Sequence, residues 1–525
     1  MLNHEPRPTD VPVEERKSDL PAMNLSPRRE RWVLAGAILA SSMAFIDTSV
    51  VNVALPVLQR GLGATFAEAQ WVIEAYTLPL SALILAGGAV GDIYGRRRMF
   101  ALGIVLFALA SAACGLAPDP LTLIAARAAQ GVAGSLMMPG SLSILAACIP
   151  AERRGHAIGM WSAATGITVA IAPALGGWMI DVLSWRGVFL VNLPLAAVAL
   201  AIVLTKVPES RGRLGGRLDL LGTFFATLGL ACLTFGLIDA GTAGFRDPLA
   251  SGMILFGFLA LLVFLVVEAR TTHPMVPLGL FRERAFAGIQ GFTFLLWAAL
   301  QGALFFVPFR LMQVHGFSPL EAGAALLPFV IVASVLSRWA GPQVDRLGPR
   351  RPLVAGALVS SIGLFLLILP GPSTSYWLGF LPALLVLGLG MGICVAPVTV
   401  IALNAAGNDH VGIASAVNNT VARMGGLIAI ALFGIVLADR FDLTLDAAVS
   451  QLALPQATID ALAPERAKLA AAVVPPGLPA EQAAAVAGAV KSAFVDGYRW
   501  TMGLAGLLAA LSALVAALSL GRKKA

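Results

Sequence analysis

Long apolar runs alternate with short polar breaks along almost the whole chain. A helix that crosses a bilayer needs ~20 mostly apolar residues. Runs of that kind predict spans at 32–56, 68–91, 99–117, 121–147, 157–182, 187–206, 218–239, 249–268, 286–310, 320–341, 352–370, 377–401, 412–437 and 497–520. The pattern is that of an all-α polytopic membrane protein with fourteen transmembrane helices. Polar links at 207–217 and 269–285 bracket the seventh and eighth spans and mark that pair as an insert between two halves. One long break, 438–496, is rich in Ala and interrupted by Pro455, Pro464, Pro475, Pro476 and Pro479. It reads as short surface helices between the last two spans.

Composition agrees with this pattern. Of 525 residues, 58% are hydrophobic and 12% charged, and the mean hydropathy is +0.84. Soluble domains carry about 25% charged residues, so a soluble enzyme, a disordered chain and a secreted disulfide scaffold are excluded. The net charge of +7 would suit nucleic acid in a soluble protein. Here its distribution assigns it to loops, and no nucleic-acid partner is expected. Arg96, Arg97 and Arg98, Arg153 and Arg154, Lys206 and Arg211, Arg282 and Arg284, Arg350 and Arg351, and Arg522 to Lys524 all fall on one side of the predicted membrane. Loops on the other side hold single charges such as Arg60, Arg186 and Arg246. The positive-inside rule then places both termini in the cytoplasm, which an even number of spans requires. Residues 1–31 mix six acids, six bases and five prolines and read as a disordered cytoplasmic tail with no signal peptide. The expected organisation is 32–206 as one six-helix half, 207–285 as the insert, 286–520 as the second half with an outer loop at 438–496, and 521–525 as a second cytoplasmic tail. Cys114, Cys148, Cys232 and Cys394 form no CxxC pair, and no HExxH is present. No lysine follows a glycine, as a phosphate-binding GxxxxGK loop demands. No metal, cofactor or ATP site is expected, and no nucleophile–base constellation stands out.

Two breaks repeat one another. GAVGDIYGRRR runs from Gly88 to Arg98, and GPQVDRLGPRR from Gly341 to Arg351. Gly88, Asp92, Gly95, Arg97 and Arg98 match Gly341, Asp345, Gly348, Arg350 and Arg351, each pair 253 positions apart. The glycines suit tight turns, and the aspartates can cap a helix or pair with arginines. Parallel duplicated halves with a substrate path between them mark a transporter. The two turns are candidates for a latch that closes in one state and opens in another.

With these motifs in view, the chain resembles the major facilitator superfamily over about 32–520. More narrowly, it is similar to the fourteen-helix drug:proton antiporters. GDIYGRRR resembles the family's loop signature after helix 2. AARAAQGVAGS resembles its helix 4 motif through Arg127, Gln130, Gly131 and Gly134. IDTSVVNVALP resembles the helix 1 signature through Asp47, Thr48, Asn52 and Pro56, and WRGVFLVNLP the entry to helix 6. The antiporter motif of helix 5 is matched by Pro173, Gly176 and Gly177, with Ala172 where the family has glycine. The resemblance implies proton-coupled efflux of hydrophobic or cationic drugs from the cytoplasm, across a bacterial inner membrane, by a monomer. It also implies coupling roles for Asp47 and Arg127.

Ionisable residues inside a span are costly, and are functional candidates by default. Counted at 1.5 Å per residue, Asp47, Glu74 and Arg127 lie ~14, ~9 and ~9 Å below the outer surface, close enough in depth to face one another. Each is a candidate for proton coupling or for a structural ion pair. Asn52, Gln130, Trp297, Gln301, Asn418, Asn419 and Arg423 are candidates to line the substrate path, with Asn418, Asn419 and Arg423 equally suited to anchoring helix 13. Phe305 and Phe306 in helix 9 suit a pocket for flat lipophilic cations or a lipid-facing surface. Arg310 reads as a snorkelling residue, and Asp239 and Glu268 as solvated span ends. An importer or facilitator on the same fold is the alternative function; a membrane enzyme or sensor is disfavoured.

Overall fold

The computed structural model describes residues 26–521 except 212–218, 272–273, 275, 342, 406–410 and 453. The predicted tails therefore fall almost wholly outside the described residues, as does part of the first polar link. All regular structure among the described residues is helical. Its membrane helices are α1 (Pro27–Leu62), α2 (Phe66–Tyr94), α3 (Arg96–Leu116), α4 (Pro120–Cys148), α5 (Ala151–Val182), α6 (Gly187–Lys206), α7 (Leu220–Ala243), α8 (Pro248–Arg270), α9 (Arg284–Val314), α10 (Pro319–Ala340), α11 (Arg350–Leu366), α12 (Tyr376–Ala405), α13 (Val411–Gln451) and α14 (Ala480–Ser519). Twelve are long and apolar enough to cross a membrane on their own, and α2 joins them when its segments Phe66–Ile84 and Ala86–Tyr94 are taken as one bent span. The remaining helix, α11, has 17 residues and continues as hydrogen-bonded turns to Leu369.

Local chemistry sets several of these boundaries. Thr65 and Glu68 form a reciprocal capping box at the start of α2, and Ser318 and Glu321 do the same for α10. Asp119 accepts the Thr122 N–H at the start of α4. Those bonds to its carboxylate hold the Asp119 pKa below its usual value. α1 begins at Pro27, so residues 27–31 belong to a helix and not to the expected tail.

The two sets α1–α6 and α9–α14 pack alike. In the first, α4 lies between α2 and α3, and α1 lies against α5 and α6. In the second, α12 lies between α10 and α11, and α9 lies against α13 and α14. The likeness reaches single glycines. Gly103 lies against the backbone of Ala133 and Met137, and Gly356 against Gly390 and Cys394. Gly131 meets Tyr76 and Pro79, and Gly388 meets Phe329 and Val332. The α2–α3 partners again stand 253 positions apart (76 to 329, 103 to 356), those in α4 257 (131 to 388, 133 to 390). The glycines let neighbouring helices approach to backbone contact. The pair α7–α8 packs on itself, and α7 also packs on α2 and α13.

The segment 438–496 departs from the sequence expectation. It is mostly the continuation of α13 and α14, whose 41 and 40 residues give lengths near 60 Å, about twice a hydrocarbon core. Phe441, Leu445 and Val449 pack with Val486, Val490 and Phe494 in the main core. Only Gln456–Leu462 and Pro464–Ala471 are short helices. The Ala-rich sequence favours helix, and the prolines collect in the turn between.

The six-helix sets meet at the face remote from the termini. Phe66 of α2 packs against Phe305, Phe306 and Phe309 of α9, with ring centroids 6.1, 5.8 and 5.4 Å away. Gln313 donates to Gln59 at 2.9 Å, and Gln59 donates to the Lys468 carbonyl at 3.1 Å. Gln70 donates to the Ile430 carbonyl at 2.8 Å, and Leu320 N–H to Asp181 at 3.1 Å. Gly177 of α5 lies against the backbone of Pro319 and Leu320, and Gly323 of α10 against Pro173. Nearer the termini the buried clusters separate: one is built from α1–α6 and the residues flanking them, another from α9, α12, α13 and the link before α9. The four hydrogen bonds just named between the two sets all lie toward the remote face. Among the described residues the contacts between the two sets are thus concentrated at that face.

Candidate functional site

Five buried polar side chains from four helices converge within α1–α6. Asp47 (α1), Ser111 (α3), Arg127 and Gln130 (α4) and Asn192 (α6) are all fully buried. Arg127 Nη1 donates to Asp47 Oδ2 at 2.5 Å and to Gln130 Oε1 at 2.7 Å. Gln130 Nε2 donates to Asp47 Oδ1 and to Ser111 Oγ, both at 2.8 Å. Asn192 Nδ2 reaches Asp47 Oδ1 at 3.3 Å and Ser111 Oγ at 3.2 Å. Arg127 Nε donates to the Val72 carbonyl at 2.9 Å, and its guanidinium lies 4.2 Å from the Tyr76 ring centroid. The spacing of Arg127 and Gln130 puts both on one face of α4. Three donors on one carboxylate make this a charge-compensated, hydrogen-bonded core.

The sequence motifs point to three of these five residues. Ser111 and Asn192 stand out less, although Asn192 lies inside WRGVFLVNLP. The usable signal is an amide in an apolar run, which must find a partner once it leaves water. Asn192→Leu removes two bonds and leaves the Asp47 and Ser111 oxygens with fewer donors. It should lower stability by about 1–3 kcal/mol, read as a shift in thermal unfolding of the purified protein.

Glu74 does not join the cluster. Val72 and Tyr76, two residues to either side, face Arg127, and two helical residues are about 200° apart. Gln70 and Ser81, on the Glu74 face, look toward α7 and α13. The Glu74 carboxylate is fully buried, and neither oxygen has a hydrogen-bond partner among the described residues. Similar depth does not mean shared direction, because depth counting ignores helix rotation.

The remaining candidates divide. Asn418 of α13 donates to Gln290 at 3.1 Å and to Thr293 at 2.9 Å, both on α9. Gln301 donates to the Ala422 carbonyl at 3.3 Å. These two tie α9 to α13. Asn419 is exposed, and Arg423 and Trp297 are half-buried. Asn52 donates to Thr48 in its own helix. In helix 5, Gly176 lies against Val50 of α1, whereas Gly177 forms the contact with α10. Phe305 and Phe306 face neither a pocket nor lipid; they belong to the buried aromatic cluster. Arg310 does not snorkel: it is fully buried, donates to the Pro370 carbonyl at 2.9 Å and lies over Tyr498. Glu268 is buried rather than solvated and accepts the Val276 N–H at 3.3 Å.

At the first repeated turn, Gly95 has φ 112° and at the second Gly348 has φ 77°, the left-handed region that favours glycine. A methyl group added at Gly88 or Gly341 would only reach ordinary contact with Pro139 of α4 or Ala396 of α12. Asp92 pairs with Arg96 at 2.7 Å. The Arg97 N–H donates to Glu209 at 3.0 Å, and Arg97 and Arg98 both pair with that carboxylate. Glu209 lies in the link after α6, outside any of the motifs. It ties the turn to its own half. The side chain of Asp345 lies outside the described residues, and Arg350 lies at the start of α11.

Comparison with known proteins gives the same picture. Residues 37–430 match the Major Facilitator Superfamily. The tetracenomycin C resistance and export protein of Streptomyces glaucescens is 32% identical over 505 residues, 95% of this chain and 92% of that one. The multidrug resistance protein Stp of Mycobacterium tuberculosis is 32% identical over 80% of this chain and 78% of its own. The puromycin resistance protein pur8 of Streptomyces alboniger is 36% identical, covering 81% and 84%. Among solved structures, a bacterial homologue of the human lysosomal transporter Spinster superposes with a TM-score of 0.64 at 19% identity, covering 94% of this chain and 97% of that one. The xylose transporter XylE from E. coli gives 0.57 at 15%, with coverage of 94% and 97%. With its repeated six-helix packing and a match across most of its length, the chain belongs to the Major Facilitator Superfamily of membrane transporters.

Proposed function

We propose that this transporter exports hydrophobic or cationic drugs in exchange for protons. The observation that carries the reading is kinship over nearly full length with proteins named for antibiotic resistance and export. Both termini lie in the cytoplasm, as the basic loops demand, and the membrane is a bacterial inner membrane. The face bearing the termini then looks inward, and the halves part there to admit substrate. Substrate enters from the cytoplasm between the two six-helix halves, past Trp297, Asn419 and Arg423, with Asn52, Gln130, Gln301 and Asn418 nearby or supporting the path. The halves rock about this site. Outward opening must part Phe66 from the α9 rings and Gly177 from α10. The motif of Pro173, Gly176 and Gly177 serves that movement by keeping α5 slim where it meets its neighbours. The turns with Gly88, Asp92, Gly95 and Arg97, and with Gly341, Asp345, Gly348 and Arg350, close the cytoplasmic face in the outward-open state.

Asp47 and Arg127 form the coupling pair, and Glu74 is a second proton-exchanging group. A proton on Asp47 removes the charge that Arg127 balances. The uncompensated guanidinium disfavours a cationic substrate and promotes its release. The test uses inside-out vesicles with an acidic lumen and a pH-sensitive dye. Adding lipophilic cations and neutral drugs should collapse the gradient for at least one compound, and Asp47→Asn should abolish the response. A response that persists undiminished in Asp47→Asn removes this residue from coupling.

A further inference from the structure

The α7–α8 insert encloses a cavity of about 330 Å3 together with α2, α13 and the link before α9. Its walls are almost wholly apolar, and its volume falls at the small end of the range for drug-sized ligands. Two hydroxyls line it, Ser81 of α2 and Thr420 of α13. Both oxygens are buried with no hydrogen-bond partner among the described residues, and Ser81 as a whole is 1% exposed. A serine in a membrane helix can bond the carbonyl one turn back, as Ser135, Ser141 and Ser143 do with theirs. Ser81 makes no such bond. A buried hydroxyl left unpaired costs about 1–3 kcal/mol, so two on one cavity wall call for a ligand group between them.

The walls show where such a ligand would come from. Leu265 of α8 lines the cavity and is also 45% exposed on the outer surface of the bundle. At Leu265 the cavity wall and the outer surface of the bundle are the same side chain. Toward the termini the wall is the link bearing Phe281, held to α8 by the bond from Val276 N–H to Glu268.

We propose that this cavity is a binding site for lipophilic small molecules carrying a single hydrogen-bonding group, which enter from the membrane beside Leu265. The hydroxyls of Ser81 and Thr420 receive the polar group, and the insert supplies the apolar wall. The site is separate from the path between the two halves. This inference rests on the reading of the chain as a carrier of lipophilic compounds.

The probe is N-phenyl-1-naphthylamine, a neutral three-ring aromatic amine with one N–H donor. Energy transfer to it from the tryptophans of the full-length purified protein should contain a saturable component. Ala226→Phe fills the cavity from α7 and should eliminate that component. Ser81→Ala combined with Thr420→Val nearly keeps the volume, removes both acceptors for the single N–H and should weaken binding about tenfold, the effect of one ordinary hydrogen bond. If Ala226→Phe elutes as aggregate, the hydroxyl pair decides alone. No saturable component in the wild type, or unchanged affinity in the folded variants, overturns the site. Saturable binding without drug transport in vesicles overturns the export reading instead.

Discussion

Arg127→Ala is expected to abolish drug-driven proton movement and to destabilise the protein by about 3–5 kcal/mol. The magnitude follows from burial. Asp47 and Arg127 are both fully buried, and removing one member of such a pair strands the other charge away from water. Asp47 would keep only the bonds from Gln130 and Asn192. The double variant Asp47→Asn with Arg127→Ala leaves no stranded charge and should recover most of the lost stability. Chemical unfolding of the four proteins of this cycle gives the coupling energy. Transport separates two roles for the pair. If it only holds helices together, the double variant should pump as well as it folds. If it carries the coupled proton, the double variant should be stable and inactive, which is the expected result.

Gly177→Val is the second large effect. The added side chain would collide with the backbone of Pro319 and Leu320, and backbone cannot turn aside as a flexible side chain can. The neighbouring contacts are of the same kind: Gly323 lies on Pro173, and Leu320 N–H donates to Asp181. The larger side chain would hold α5 and α10 apart at the face remote from the termini. The state closed at that face should be lost and transport should fall to background, while α1–α6 remain folded. Spin labels on α5 and α10 near Asp181 and Leu320 would report the change as a longer mean distance. Gly176→Ala tests the other half of the motif, since Gly176 meets the Val50 side chain, which has some room to rotate. Its effect should be smaller.

The sequence is most informative where chemistry is local. Apolar runs mark the helices, because a bilayer permits little else. The matched turns at Gly95 and Gly348 mark the duplication, and the glycine contacts at Gly103 and Gly356 follow the same register. Asp47 and Arg127 are legible as candidates because charge inside a span is rare. What escapes is direction. Glu74 has the depth of the pair but the opposite helix face. Arg310 lies at a span end yet turns inward to Pro370. Ser111 and Asn192 are uncharged, so burial costs them less than it costs a charge and marks them more weakly, although they complete the polar core. Glu209 sits in a polar link, where an acid attracts no notice. In most of these cases the deciding fact is the rotation of one helix against another, which an apolar run does not encode.

Proton flow through this transporter is expected to perform work on a drug. The most direct test is uphill accumulation in proteoliposomes with the terminal face outward, an acidic lumen and ethidium at equal concentration on both sides. Ethidium is expected to rise in the lumen above the outside level and to fall back when a potassium–proton exchanger dissipates the gradient. Equal concentrations throughout, with exchange across the membrane still dependent on the protein, would contradict it and make the protein a facilitator.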